Sequence, residues 1–261
     1  QSATQAATQA APAAVAAGPG VPTIDDGFDG SDLDPRWEVL HENPGAYIVD
    51  GGALLALASG ADERWWDETP DNLVALRAPL DTPGDFDMTV SGRLEAKTGR
   101  DAVWLGLYNG PQDFLAAQAW LETGGCGAAL KLSIWNQRVI TGDDRPVYTV
   151  FTTNLFDKNW VEGICSSQPD GRAYADQVLA ELNRSGFDLT LARRGFQYTA
   201  TLAMDLPAAG EIPARRASFT TRALSRVAPF GRPAFMIGQT RGAQGETAGE
   251  IDRFVLAPAD E

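Results

Sequence analysis

Three short stretches gather the side chains best able to do chemistry. In Val103–Tyr108 the aliphatic residues Val103, Leu105 and Leu107 alternate with Trp104, Gly106 and Tyr108. The same split in Phe114–Leu121 sets Gln118 and Trp120 apart, and in Leu130–Trp135 it sets Lys131, Ser133 and Trp135 opposite Leu130, Leu132 and Ile134. A period of two sends the alternating sets to opposite faces of an extended strand. Three strands would therefore each turn an aromatic ring, accompanied by polar groups, away from the core. Sugars present apolar C–H faces and hydroxyl edges, so flat aromatics with donors and acceptors around them suit carbohydrate binding. Trp104, Tyr108, Gln118, Trp120, Lys131 and Trp135 form that candidate face. The alternative is a second core, with the same rings buried beneath the segment from Gly124 to Arg184.

Cleaving a glycoside needs two carboxyl groups flanking the bond, about 5 to 9.5 Å apart. Glu95, at the end of Phe86–Glu95, and Glu162, within Trp160–Ile164, are the pair placed to meet across strands. Carboxylates in a sugar site also serve as plain hydrogen-bond acceptors, so catalysis and binding both remain open. The single histidine, His41, stands beside Glu42 and apart from the aromatic stretches, which argues against a Ser-His-Asp hydrolase and against a zinc site. A further patch, Asp62–Glu68, sets Trp65 and Trp66 among acids, as a ligand platform or as the cap of one end of the fold.

The elements that must position these residues are short strands. From Ile24 onward about a dozen segments alternate apolar and polar residues, separated by turns such as Asp50-Gly51-Gly52, Pro83-Gly84-Asp85 and Asn109-Gly110-Pro111. That pattern predicts an all-β, two-sheet antiparallel sandwich. Ala173–Asn183 alone has helical spacing, through Tyr174, Val178, Leu179 and Leu182, and is read as one short helix in an inserted loop at about 124–184. Residues 1–22 form an Ala-rich, low-complexity extension before a single domain over 23–261. An extension of this composition stays ordered only by packing on the domain or on a neighbouring subunit, which makes a homo-oligomer joined through it one reading.

Composition bounds the partners. A formal net charge of -14 repels phosphate backbones and anionic surfaces, so nucleic acid is excluded as a partner. No apolar run approaches the roughly 20 residues of a membrane-spanning helix. The chain begins at Gln1 within an Ala/Gln/Thr/Pro stretch, the appearance of a mature terminus after signal-peptide removal, and a secreted protein is expected. Cys126 and Cys165, both flanked by turn residues, suit one disulfide closing a long loop, although two buried thiols would look the same.

Three further stretches carry a resemblance. Phe28-Asp29-Gly30-Ser31-Asp32-Leu33-Asp34-Pro35-Arg36-Trp37 with Tyr47–Leu54, then Phe187–Tyr198, and finally Glu250–Leu256 resemble the opening hairpin, a late hairpin and the last strand of the concanavalin A-like lectin/glucanase superfamily. They are most similar to its laminin-G-like jelly-roll modules associated with bacterial glycoside hydrolases. The resemblance runs from about Phe28 to Leu256 and implies a jelly roll that engages a polysaccharide or oligosaccharide on a concave, aromatic-lined sheet. It also implies a structural calcium ion between first and last strands, for which Asp29 and Asp252 are the matching positions. Glucanases of the superfamily carry Glu-x-Asp-x-Glu on one strand; Glu250-Ile251-Asp252 begins that way but continues Arg253-Phe254-Val255, without the second Glu. A fold of this kind hosts lectins, hydrolases and structural modules alike. Three readings therefore stand: a carbohydrate-binding or carbohydrate-processing protein, an unusual glycoside hydrolase, and a cell-surface assembly protein.

Overall fold

Alternating burial builds two antiparallel sheets in the computed structural model, which describes residues 20–59, 70–80, 84–124, 127–139, 146–155, 169–211, 213–227, 230–240 and 243–259. The strands are, in chain order, β1 (Ile24–Asp26), β2 (Trp37–Leu40), β3 (Tyr47–Asp50), β4 (Ala53–Ala58), β5 (Leu73–Leu76), β6 (Phe86–Glu95), β7 (Asp101–Gly110) and β8 (Asp113–Gly124). They continue with β9 (Gly127–Val139), β10 (Pro146–Asn154), β11 (Phe187–Arg194), β12 (Gln197–Leu206), β13 (Arg215–Thr220), β14 (Leu224–Ser225), β15 (Arg232–Gln239) and β16 (Thr247–Pro258). The one helix among the described residues, α1, spans Pro169–Arg184.

One sheet has seven strands in the order β10-β9-β8-β7-β15-β5-β2. The other has nine, in the order β13-β12-β11-β6-β16-β4-β3, with β1 added to β16 and β14 to β12. In β6 every second residue from Phe86 to Leu94 is buried while its neighbours are not, the pattern of a strand with one face on a core. Val103, Leu105, Leu107 and Leu115 of the seven-stranded sheet meet Met88, Val90, Leu189, Leu191 and Phe254 of the nine-stranded sheet in one cluster. Trp37 is set edge-on to Phe235 at 5.4 Å and to Phe254 at 4.9 Å, and its indole N–H donates to Asp26 at 2.8 Å. A large ring thus bridges the layers with its polar atom satisfied.

The expected strands and jelly-roll sandwich are present, and so is the single helix. The segment read as an insertion differs: it supplies β9 and β10, two full strands of the seven-stranded sheet, before it reaches α1. The helix starts at Pro169, where a missing N–H costs no hydrogen bond, four residues before the predicted start. Its apolar stripe of Tyr174, Ala175, Val178 and Leu182 joins the core between the sheets, so α1 plugs the sandwich rather than covering the outward aromatics. Beyond its end the N–H groups of Ser185 and Gly186 both donate to the carbonyl of Glu181, and Gly186 has φ +76°. A β-carbon on Gly186 would stand 2.3 Å from the Gly92 carbonyl oxygen, so glycine alone lets helix end and sheet approach this closely.

Two polar ties hold the layers in register. Buried Arg226, just after β14, donates to the Phe114 carbonyl at 3.0 Å, to Asn136 at 2.8 Å and to Asp113 at 2.6 Å. It joins the nine-stranded sheet's margin to β8 and β9 with its charge paired. Elsewhere Asp101, fully buried, accepts from the backbone N–H groups of Thr98 and Gly99 and from the hydroxyl of Thr247 at 2.7 Å, and Gln239 donates to that same hydroxyl oxygen at 3.0 Å.

Candidate functional site

Cross-strand register arranges the outward face of β10, β9, β8, β7 and β15 into four rungs. They are Asn154–Lys131–Trp120–Ala102, Thr152–Ser133–Gln118–Trp104–Met236, Val150–Trp135–Ala116–Gly106–Ala234 and Tyr148–Gln137–Phe114–Tyr108–Arg232. All six residues expected on this face are there. The alternation that separated them from the leucines is the alternation of these strands.

Their exposure divides the face in two. Toward β7 and β15, Trp104 is 0% exposed, Gln118 1% and Tyr108 5%, and they belong with Ala116, Ala234, Met236, Leu73 and Ala75 to a second apolar cluster or sit at its margin. Burial pushes the Tyr108 hydroxyl up to about 12, so it stays protonated throughout the physiological range. The floor is made of small residues. A β-carbon on Gly106 would lie 2.1 Å from the Leu115 carbonyl oxygen, which explains a glycine in mid-strand. Trp104 and Tyr108 are thus buried in a second core, built with residues of β5 and β15 and not with the helix of the segment from Gly124 to Arg184, which packs between the sheets. Toward β8, β9 and β10 the face opens: Trp120, Trp135 and Lys131 are half-buried, and Tyr148 is 65% exposed.

The polar groups of the open half are interlocked. Trp120 donates its indole N–H to the Ser133 hydroxyl at 2.9 Å, and Ser133 shares a 2.9 Å bond with Thr152. Trp135 donates to the Gln118 side-chain oxygen at 2.8 Å. Both indole N–H groups are aimed at the one rung that lies between them, so the two rings lean toward each other along the sheet with orientation fixed. The Lys131 ammonium lies 4.8 Å from the Trp120 ring centre, a cation–π contact. Trp135 meets buried Trp104 at 6.2 Å with the planes tilted 42°. This arrangement presents rigid apolar ring surface and few uncommitted donors.

The expected carboxylates are placed otherwise. Glu95 is on β6, in the nine-stranded sheet, and its carboxylate is 2.8 Å from Lys97. It does not stand beside the aromatics, because strand order, which the period of the sequence does not encode, puts β6 in the other layer. Glu162 lies outside the described residues, as do Cys126, Cys165, Trp65 and Trp66. None of the four rungs holds a carboxylate; the next outward position of β8 beyond Trp120 is Glu122.

Asp252 sits where the register of β16 against β6 shifts between Ile251 and Arg253. Burial raises its carboxyl above the usual range, Arg93 opposes this, and Glu250 and Asp188 add to it. Asp29 lies against Gly27 and Gly52, where a β-carbon would come within 3.4 and 3.6 Å of its carboxylate. Among the described residues no group of three or more acidic, histidine or cysteine side chains comes together to hold a metal ion.

Sequence reading missed two features. Tyr148 was not singled out, although its place two residues before Val150 in an alternating strand would have found it. The other is a groove of about 570 Å³ on the outward face of the nine-stranded sheet, lined by Ile48, Leu55, Leu57, Arg93, Glu95 and Glu250 among others. It needs the pairings Ile48–Leu55, Leu55–Glu250 and Glu250–Arg93, which only the folded register supplies.

No protein-family model and no curated protein sequence matches the chain. Solved structures do. The GH43 BlXynB protein of Bacillus licheniformis superposes with a TM-score of 0.55 at 13% identity, over 90% of this chain and 39% of that one. The GH43B protein of the Bacteroides ovatus xyloglucan PUL gives 0.50 at 11%, over 91% and 40%. A legume lectin-like domain from Entamoeba histolytica gives 0.51 at 9%, over 86% and 91%. The chain thus spans about two fifths of the length of these GH43 proteins and nearly all of the lectin-like domain. With two antiparallel sheets and one helix among the described residues, the chain shares the two-sheet sandwich fold of these structures.

Proposed function

We propose that this is a secreted carbohydrate-binding protein whose ligand lies on the open half of the seven-stranded sheet. The observation that carries the reading is the pair of half-buried indoles, Trp120 and Trp135, held by hydrogen bonds to Ser133 and Gln118. Ring surface fixed before the ligand arrives stacks on a sugar without a further ordering cost. The fold supports the class of ligand by analogy, since structures that share it include GH43 proteins and a lectin-like domain. Binding without cleavage is the form the geometry favours. Hydrolysis needs an acid pair around the bond, and the four rungs that carry the aromatics supply none.

The test is a glycan-array screen of the purified protein beside a reducing-end release assay on the same polysaccharides, repeated with Trp120→Ala. Binding that the substitution removes, with no sugar released, is the expected result. Release of sugars would replace binding with hydrolysis and move the search to Glu162. Silence in both assays would end the carbohydrate reading.

A further inference from the structure

The three partly exposed aromatics of the open half fall on three consecutive strands, each further along the sheet than the last. Trp120 is on β8 in the rung of Lys131, Trp135 is on β9 two rungs further, and Tyr148 is on β10 one rung beyond that. At about 3.4 Å per residue and about 4.8 Å between strands, this diagonal covers roughly 20 Å along the strands and roughly 10 Å across them. One sugar ring cannot reach from end to end.

The direction straight across the sheet is closed. Next to Gln118 in its rung stand Trp104, 0% exposed, and Met236, 1% exposed, both within the second apolar cluster. A ligand crossing the sheet perpendicular to the strands would have to displace that cluster. Along the diagonal Trp120, Trp135 and Tyr148 keep exposed ring surface, with Ser133 and Gln118 buried between the two indoles, and Thr152 and Asn154, exposed on the same face of β10, set a hydroxyl and an amide beside it. Tyr148 is an aromatic ring 65% exposed on an edge strand, at the far end of the same line.

We infer that the ligand is a linear oligosaccharide several rings long, laid diagonally over Trp120, Trp135 and Tyr148, with Tyr148 forming the outermost subsite. The inference rests on the carbohydrate-binding reading above and specifies its ligand as an extended chain rather than a terminal monosaccharide. Affinity then grows with chain length, because each added ring meets another aromatic until Tyr148 is covered.

The experiment is calorimetric titration of the protein with β-linked gluco- and xylo-oligosaccharides from disaccharide to hexasaccharide, for the wild type, Tyr148→Ala and Tyr148→Phe. Affinity should rise with length. Tyr148→Ala should weaken the hexasaccharide by about three- to tenfold and leave the disaccharide unchanged, with Tyr148→Phe close to wild type. The exposed position keeps both variants folded, which their unfolding temperatures verify. Equal affinity for short and long chains, or a hexasaccharide indifferent to Tyr148→Ala, would overturn the diagonal while leaving carbohydrate binding in place. Absence of binding at every length would remove the underlying reading and the diagonal with it.

Discussion

On the seven-stranded sheet the outward rung through Thr152, Ser133, Gln118 and Trp104 is uncharged and largely buried, with Ser133 and Gln118 accepting from the indoles of the rungs on either side. On the nine-stranded sheet the outward rows carry ion pairs instead: Arg93 with Glu250 at 2.6 Å, Arg194 with Asp87 at 2.9 Å and Arg253 with Asp25 at 2.7 Å. Ser91 donates to Asp188 at 2.6 Å in the same layer. Both faces obey a period of two, yet one is a half-covered apolar surface and the other sets exposed ion pairs beside the groove of Ile48, Leu55 and Leu57. Exposed ion pairs contribute little to stability, with a median near 0–1 kcal/mol, whereas buried rings carry transfer energy and packing. The contrast separates a face built for shape from a face built for solubility.

The contrast breaks most visibly at Trp104. Trp104→Ala should cost about 3–5 kcal/mol in chemical denaturation, the range for deleting a large buried ring. A loss below about 1 kcal/mol would mean that the second cluster is a loose cover. A smaller effect is expected from Gln118→Ala, which leaves the Trp135 indole N–H without its acceptor; about 1–3 kcal/mol should be lost, with a change in tryptophan fluorescence as the ring is released. Unchanged fluorescence would show that packing alone orients Trp135.

The smallest effect belongs to the charged face. The Asp252 carboxyl is raised in the folded state by burial and by Glu250 and Asp188, against Arg93. The folded protein therefore binds this proton more tightly than the unfolded chain. Its contribution is fully present below the unfolded value of 3.8 and is lost as pH rises through the folded value. Asp252→Asn should accordingly make stability less dependent on pH across that window, while binding at the aromatic face is unchanged. A variant with the wild-type pH profile would show that Asp252 is not held this way.

Much of the site was legible because alternation is a local property. Trp104, Gln118, Trp120, Lys131 and Trp135 were assigned to one outward face from spacing alone, and the register confirms it. What spacing could not convey is which strands become neighbours. Alternation offers Glu95 as an outward carboxylate able to meet Glu162 across strands, yet β6, which carries it, lies in a different sheet from β7 and the aromatics. Nor does spacing reveal that the hydrogen-bonding capacity of Gln118 and Ser133 is taken up by the indoles, since that depends on a two-residue offset between β8 and β9. The helix was found by its period but not its depth, because Val178 and Leu182 in isolation look the same against either face of a sheet.

The Asp101 carboxyl has a consequence for how the protein opens. It receives the N–H groups of Thr98 and Gly99 at the start of β7 and the hydroxyl of Thr247 at the start of β16, while Thr247 in turn accepts from Gln239 at the end of β15. Strands of both sheets thus converge on one buried acceptor, and none can fray alone without leaving polar groups unmatched in the interior. The backbone amides of Thr98 and Gly99, although they belong to a connecting turn, should exchange with solvent deuterium as slowly as the central strands. The turn and the two layers then form a single cooperative unit, whose opening is the unfolding of the whole sandwich.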